Sequence, residues 1–179
     1  MTGRLAAVPA CWAAGLLAAC SGAPSPADRE ALIAGAVVQR DVEHLVKSIY
    51  AGEFDVVVAK THPVILEWIG GAAKARELMA AAVEPMLAKG IHVESLRFPQ
   101  PPEFVRTERA AYSIVPTLMI LTIGSDRVES LNYQFGVLEP GASGWLFIEG
   151  SRVNGGNVRS LFADFPAGHT FPQFHRRRL

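Results

Sequence analysis

Cysteine is scarce in this chain, net charge is absent, and the apolar leader is too short to span a bilayer. Two cysteines among 179 residues exclude a scaffold held by several disulfides and any site built from several thiolates. Seventeen basic residues balance seventeen acidic ones, so the basic excess of a nucleic-acid-binding surface is missing and no nucleic-acid partner is expected. The only dense positive run is Arg176, Arg177 and Arg178 at the C-terminus. It reads as a solvated tail, with attraction to anionic lipid or polysaccharide as the alternative. The chain has no GxSxG, no phosphate-binding loop, no GxGxxG and no two histidines at metal-ligand spacing. Neither a metal nor another cofactor is therefore expected. Internal repeats are also missing.

What is present begins with a leader. Arg4 is the only charge among residues 1–19, and Leu5 to Leu17 is rich in Ala, Leu and Val. A permanent membrane helix needs roughly 20 apolar residues, whereas a charged start, an apolar middle and a small-residue end are the marks of a secretory signal. Leu17-Ala18-Ala19-Cys20 resembles the lipobox of bacterial lipoproteins. Small side chains give a peptidase access to the bond before Cys20, and the thiol accepts a diacylglycerol. The resemblance implies that the mature chain starts at Cys20, with lipid on its sulfur and amine and the membrane as a partner. More than one acyl chain is what stable anchoring requires. Ser21 at the next position resembles the pattern for sorting to the outer membrane rather than the inner. The competing reading is an ordinary cleaved signal with a cysteine at the junction. Cys11 lies in the segment to be removed, so Cys20 is the only cysteine left.

Residues 20–26 form a short tether, 27–166 a single domain, and 167–179 a tail rich in Pro, Phe and Arg. Asp28 can cap a first helix, in which Val38, Val42, Leu45, Val46 and Ile49 recur at helical spacing. Phe54 to Thr61 reads as a second helix, Val64 to Ile69 as a short strand, and Ala72 to Lys89 as a helix with Leu78, Met79, Val83, Met86 and Leu87 on one side. Pro85 should bend that helix. From Ile91 the period becomes two. Strands are expected over 91–98, 109–123, 127–138 and 145–149, with a short segment at 103–107 and a hairpin turn at Gly124-Ser125-Asp126. Pro116 fits the long strand only at a bulge or an edge. Asn157 to Phe165 could form a terminal helix. Helices first and an antiparallel meander afterwards is an α+β order.

The segments VKSIYAGEFDVVVAKTHP (46–63), GGAAKARELMAAAV (70–83) and the hairpin from Tyr112 to Trp145 resemble the NTF2-like superfamily, which includes SnoaL-like proteins and ketosteroid isomerase. The turn Ala51-Gly52-Glu53-Phe54-Asp55 is especially similar. This likeness implies a cone of three N-terminal helices packed on a strongly curved, mostly antiparallel sheet, with a pocket inside. The ending WLFIEGSRV, followed by NVRSLFADFP, resembles small exported NTF2-like proteins with no assigned function.

Such a fold hosts many activities, so function has to be argued from the site. The isomerase needs a tyrosine and a protonated aspartic acid as oxyanion donors, with an aspartate base. Against the family pattern, the tyrosine position falls on or near Leu45 and the base position near 67–69, where Glu67 is the only candidate. The second-acid region holds Tyr112, Ser113 and Thr117 but no carboxylate. Isomerase chemistry of that kind is not expected. His62 and Glu67 could instead act as acid and base, or simply satisfy a helix end and a solvent edge. His44 and His92 read as surface residues, and His169 and His175 belong to the tail.

Trp68, Tyr112, Tyr133, Phe135 and Trp145 form an aromatic set on the expected strands. They read as core, or as the wall of an apolar pocket with Tyr133 or Glu149 as its polar handle. Ser130, Asn132 and Gln134 would then lie on an outer sheet face open to homodimer formation. The expectation is a membrane-anchored, non-catalytic domain that binds a small apolar ligand or an envelope partner. The alternative is a SnoaL-like isomerase, cyclase or hydratase using His62 and Glu67.

Overall fold

The computed structural model describes residues 30–179. The leader over 1–19, Cys20, the tether over 20–26 and Asp28 lie outside the described residues. No helix among the described residues is long and apolar enough to cross a membrane.

Four helices over 35–88 precede the sheet. Helix α1 (Gly35–Ala51) buries Val38, Val42, Leu45 and Val46, the stripe that a 3.6-residue period places on one face. It stops at Gly52, whose φ of 76° is strained for any side chain. The N–H groups of Gly52 and Glu53 close onto the carbonyls of Ile49 (3.2 Å) and Ser48 (2.9 Å). Buried Ser48 donates its hydroxyl to Glu53 at 2.7 Å, which fixes the turn into α2 (Phe54–Lys60).

The segment expected as a strand over 64–69 is helix α3 (Pro63–Ile69). The start signal decides it. His62 sits at the N-cap and accepts the Val64 N–H at Nδ1 (3.2 Å), and Pro63 supplies the preset φ of a first helical residue. Helix α4 (Ala72–Ala88) tolerates Pro85 near its end but buries only Ala75 and Val83. Leu78, on the expected apolar side of this helix, is 48% exposed.

The sheet is antiparallel and six-stranded. Its centre is a hairpin of two 13-residue strands, β3 (Ala111–Ile123) and β4 (Asp126–Leu138). Short strands share the two outer edges. β1 (His92–Arg97) pairs the end of β3 and β2 (Glu103–Arg106) its beginning. β5 (Leu146–Glu149) pairs β4 over 134–137, and β6 (His175–Arg178) pairs it over 128–131. Pro116 falls between the stretches of β3 that pair β2 and β1, so β3 needs no ladder donor there on that edge. The C-terminal run read as coil therefore ends in a strand. Arg177 pairs with Glu129 (2.8 Å) and Arg178 with Asp126.

Both faces of this sheet are covered. Ala111, Val115, Leu138 and Phe147 pack against α1 together with fully buried Trp145. The indole N–H of Trp145 donates to the Leu32 carbonyl at 2.8 Å. On the opposite face Tyr112, Ile114, Tyr133, Phe135, Val137 and Ile148 pack under Val153, Val158, Phe165 and Phe171 from the C-terminal segment. That segment holds one turn of helix, α5 (Val158–Leu161), much shorter than the 157–165 helix expected. The architecture is α+β: helices, sheet, then an irregular C-terminal cover.

Candidate functional site

The helix-facing side of the sheet is incompletely filled. A cavity of about 420 Å³ lies between the C-terminal half of α1, helices α2 to α4, and the β4–β5 edge. That falls within the range of small-molecule sites, about 300–1,000 Å³. Its origin is in the α4 sequence. Ala75, Leu78, Met79, Ala82 and Val83 line the cavity, yet only the two small residues Ala75 and Val83 are buried. A helix that turns so little side-chain volume inward cannot fill the space above the sheet. Arg76 of α4 is tied to Asp55 of α2 by an exposed ion pair of 2.8 Å, and pairs of that kind add little stability. The remaining wall is apolar, with Leu45 and Ile49 from α1, Phe54 and Val57 from α2, and Ile65 and Ile69 from α3.

The polar groups converge at one end. Gln134 on β4 is paired directly with Glu149 on β5, so both side chains leave the sheet on the same face. Gln134 is 6% exposed and lines the cavity. Its carboxamide makes no side-chain hydrogen bond to another described residue and is not among the buried polar groups left without a partner, so it opens onto the cavity. Glu149 lies at the rim, where Asn132 Nδ2 donates to one carboxylate oxygen at 2.7 Å and the Ser151 hydroxyl donates to the other. Arg152 follows in a 3₁₀ turn (Gly150–Arg152) and lines the same end. Thr61 reaches the cavity too, but its hydroxyl donates to the Val57 carbonyl at 2.8 Å.

Of the expected pocket residues, only Glu149 lines this cavity. The aromatic set is split. Trp68 is on α3 rather than a strand and is 69% exposed. Trp145 is sealed under α1. Tyr112, Tyr133 and Phe135 lie on the other face, packed against the C-terminal cover: Tyr112 edge-on to Phe165 at 5.2 Å, Phe135 edge-on to Phe165 at 5.6 Å and Tyr133 tilted on Phe171 at 5.8 Å. Their polar atoms are occupied. The Tyr112 hydroxyl donates to Asp164 Oδ1 at 2.8 Å and the Tyr133 hydroxyl to the Val153 carbonyl. Burial and the Asp164 charge push the Tyr112 phenol well up, and burial with Glu149 pushes Tyr133 up to about 12. Neither is poised to give up a proton near neutrality.

His62 and Glu67 are not brought together. His62 is 6% exposed, with its ring edge-on to Phe162 at 5.2 Å and Nε2 lying 3.6 Å from Glu139. Burial holds its pKa below the usual value, against the opposing charges of Glu139 and Glu67. Glu67 is exposed on α3, and neither residue lines the cavity. The face carrying Ser130, Asn132 and Gln134, expected outside, is the one turned towards the helices. Ser130 and Gln134 are each 6% exposed. Gln134 is the site residue that sequence reasoning missed. Its only signal was a glutamine opposite an aromatic stripe, which points inward only if both sheet faces are covered.

The cavity thus has apolar walls, one unpartnered carboxamide and a rim of opposite charges. It can hold an apolar body and orient a polar group. Glu149 is its only carboxylate, and no histidine or cysteine lines it. Among the described residues no group of three or more His, Cys, Asp or Glu could hold a metal ion. No family model matches the chain, and no curated protein or solved structure is significantly similar to it.

Proposed function

We propose that this protein is a membrane-anchored lipoprotein whose NTF2-like domain binds a small apolar ligand without transforming it. The observation that carries the binding role is the cavity of about 420 Å³ between the helices and the sheet, apolar except at its Gln134 end. The order of helices, long hairpin and pocket supports the NTF2-like reading. The Leu17-Ala18-Ala19-Cys20 pattern supports lipid on Cys20, placement in the cell envelope, and the outer membrane over the inner. A catalytic role for His62 and Glu67 has less support, because His62 is packed under Phe162 and Glu67 faces solvent. Exposed Trp68 (69%) beside this layer leaves an envelope protein as the second kind of partner.

The test uses the full chain carrying Cys20→Ala, which removes the proposed lipid, and the neutral fluorescent probe N-phenyl-1-naphthylamine. The probe should bind saturably at one site. Ala82→Trp places a large ring on the exposed, cavity-lining side of α4 and should weaken binding at least tenfold without changing the unfolding midpoint much. Equal probe binding by the two forms would overturn the reading.

A further inference from the structure

We infer that the ligand of this cavity is an uncharged amphiphile, with an apolar body and a head group that both donates and accepts hydrogen bonds, such as an amide or a hydroxy-carbonyl. The inference rests on the binding role proposed above and specifies its chemistry. Three side chains carry it. Gln134 is nine-tenths buried at the cavity wall, and its carboxamide offers two donors and an acceptor. Among the described residues it satisfies none of them within the protein. Gln134 is not among the buried polar groups left without a partner, so its amide opens onto the cavity, where a head group of the same mixed character can pair with it. A charged head against a neutral, buried amide would lose its hydration for too little in return.

The rim argues in the same direction. Glu149 and Arg152 line the same end of the cavity, and no ion pair within 4.0 Å joins Arg152 to a carboxylate among the described residues. Both Glu149 oxygens already accept hydrogen bonds, from Asn132 and Ser151. An acceptor and a donor of opposite charge therefore line the end of the cavity that holds Gln134. An anionic head would meet Glu149 and a cationic head would meet Arg152. A neutral head with a donor and an acceptor can use both.

The experiment compares three soluble probes with the same chain length, octanamide, octanoate and octylammonium, by titration calorimetry at pH 7.5. The protein is the full chain with Cys20→Ala, and the Ala82→Trp form supplies the background. Octanamide should bind at least tenfold more tightly than either ion. Gln134→Leu should abolish that preference while keeping affinity for the chain. Two exposed rim variants should turn the preference in opposite directions: Arg152→Gln towards octylammonium and Glu149→Gln towards octanoate. Equal or tighter binding of either ion by the parent chain would overturn the inference and leave the binding role standing. So would an amide preference that survives both Gln134→Leu and the rim variants. If all three probes bind no better than to the Ala82→Trp form, the binding role fails as well.

Discussion

The two faces of the central hairpin have been built by opposite means. Towards the C-terminal cover, β3 and β4 present Tyr112, Ile114, Tyr133, Phe135 and Val137, and the cover answers with Phe162, Phe165 and Phe171. Rings meet at centroid distances of 5.2–6.2 Å in the Tyr112, Phe135, Phe165 and Phe171 group, and each phenol finds a partner. Towards the helices, Ala111, Val115 and Leu138 pack under α1, but small or polar Ser113, Thr117, Gln134 and Gly136 share that face with them. Helix α4, at the cavity end of that face, buries only Ala75 and Val83. The aromatic face is a closed core, whereas the helix face is closed under α1 and leaves space lined by Gln134 towards α4. Stability and binding are thus assigned to different sides of one sheet.

That division predicts unequal costs of truncation. Phe165 is 1% exposed at the centre of the aromatic face. Phe165→Ala should cost about 3–5 kcal/mol, the usual range for a buried Phe with full surroundings. Val83, 8% exposed on α4, borders the cavity. Removing its two methyl groups enlarges a space that already exists, so Val83→Ala should cost no more than about 1.6 kcal/mol, the transfer value of two methylene-sized groups. Urea denaturation of the two variants gives both numbers. Equal losses would mean that the helix face is packed as fully as the other.

Much of this was legible in the sequence, but not which face was which. The α1 stripe, the Gly52 turn and the hairpin at Gly124 carry local signals, a 3.6 period, a positive φ and a turn residue, and these do not depend on what packs against them. The face assignment does. Leu131, Tyr133, Phe135 and Val137 alternate with Ser130, Asn132, Gln134 and Gly136, which reads as inside and outside for a sheet with one covered face. The second cover spans 153–174 and has almost no periodicity, with prolines, glycines and scattered phenylalanines, so it resembles coil until it is seen to pack. The cavity was invisible for a related reason: it reflects side-chain volume that α4 fails to supply. VILEWI (64–69) is short and apolar, and periodicity cannot separate strand from helix at that length. Pro63 after a capping His62 was the informative pair.

The aromatic face can be loosened chemically as well as by truncation. Asp164 joins the cover to β3, accepting hydrogen bonds from Tyr112 at 2.8 Å and from Thr107. Burial acts to raise its pKa, but those two hydrogen bonds outweigh it and hold the carboxyl below its usual range. A carboxyl with a lowered folded pKa contributes stability that is fully present above its unfolded value, about 3.9. That stability disappears as the pH falls through the folded value. Asp164→Asn should therefore flatten the acid limb of the stability curve below about pH 4 and cost about 1–2 kcal/mol at pH 7. Near-ultraviolet circular dichroism should show Tyr112 and its neighbours losing order, while binding of the neutral probe on the other face is retained. An unchanged acid limb would show that Asp164 carries no such link.

His62 gives the smallest effect, and it asks whether the two faces are independent. Through Nδ1 it caps α3, one wall of the cavity, and its ring rests on Phe162 of the cover. Burial lowers its pKa despite Glu139 at 3.6 Å and the more distant Glu67, so the folded protein holds it neutral. A histidine with a lowered folded pKa leaves stability intact above its unfolded value, about 6.5, and costs stability as the pH falls below that. Protonation also removes the Nδ1 acceptor that caps α3, because an imidazolium only donates. Between pH 7.5 and 5.5 the native chain should lose a little stability and some affinity for the neutral probe, and His62→Gln should lose neither. If stability falls while probe affinity stays constant, the cavity is insulated from the cover. If both fall together and the substitution removes both, this one ring couples the dry face of the sheet to the binding face.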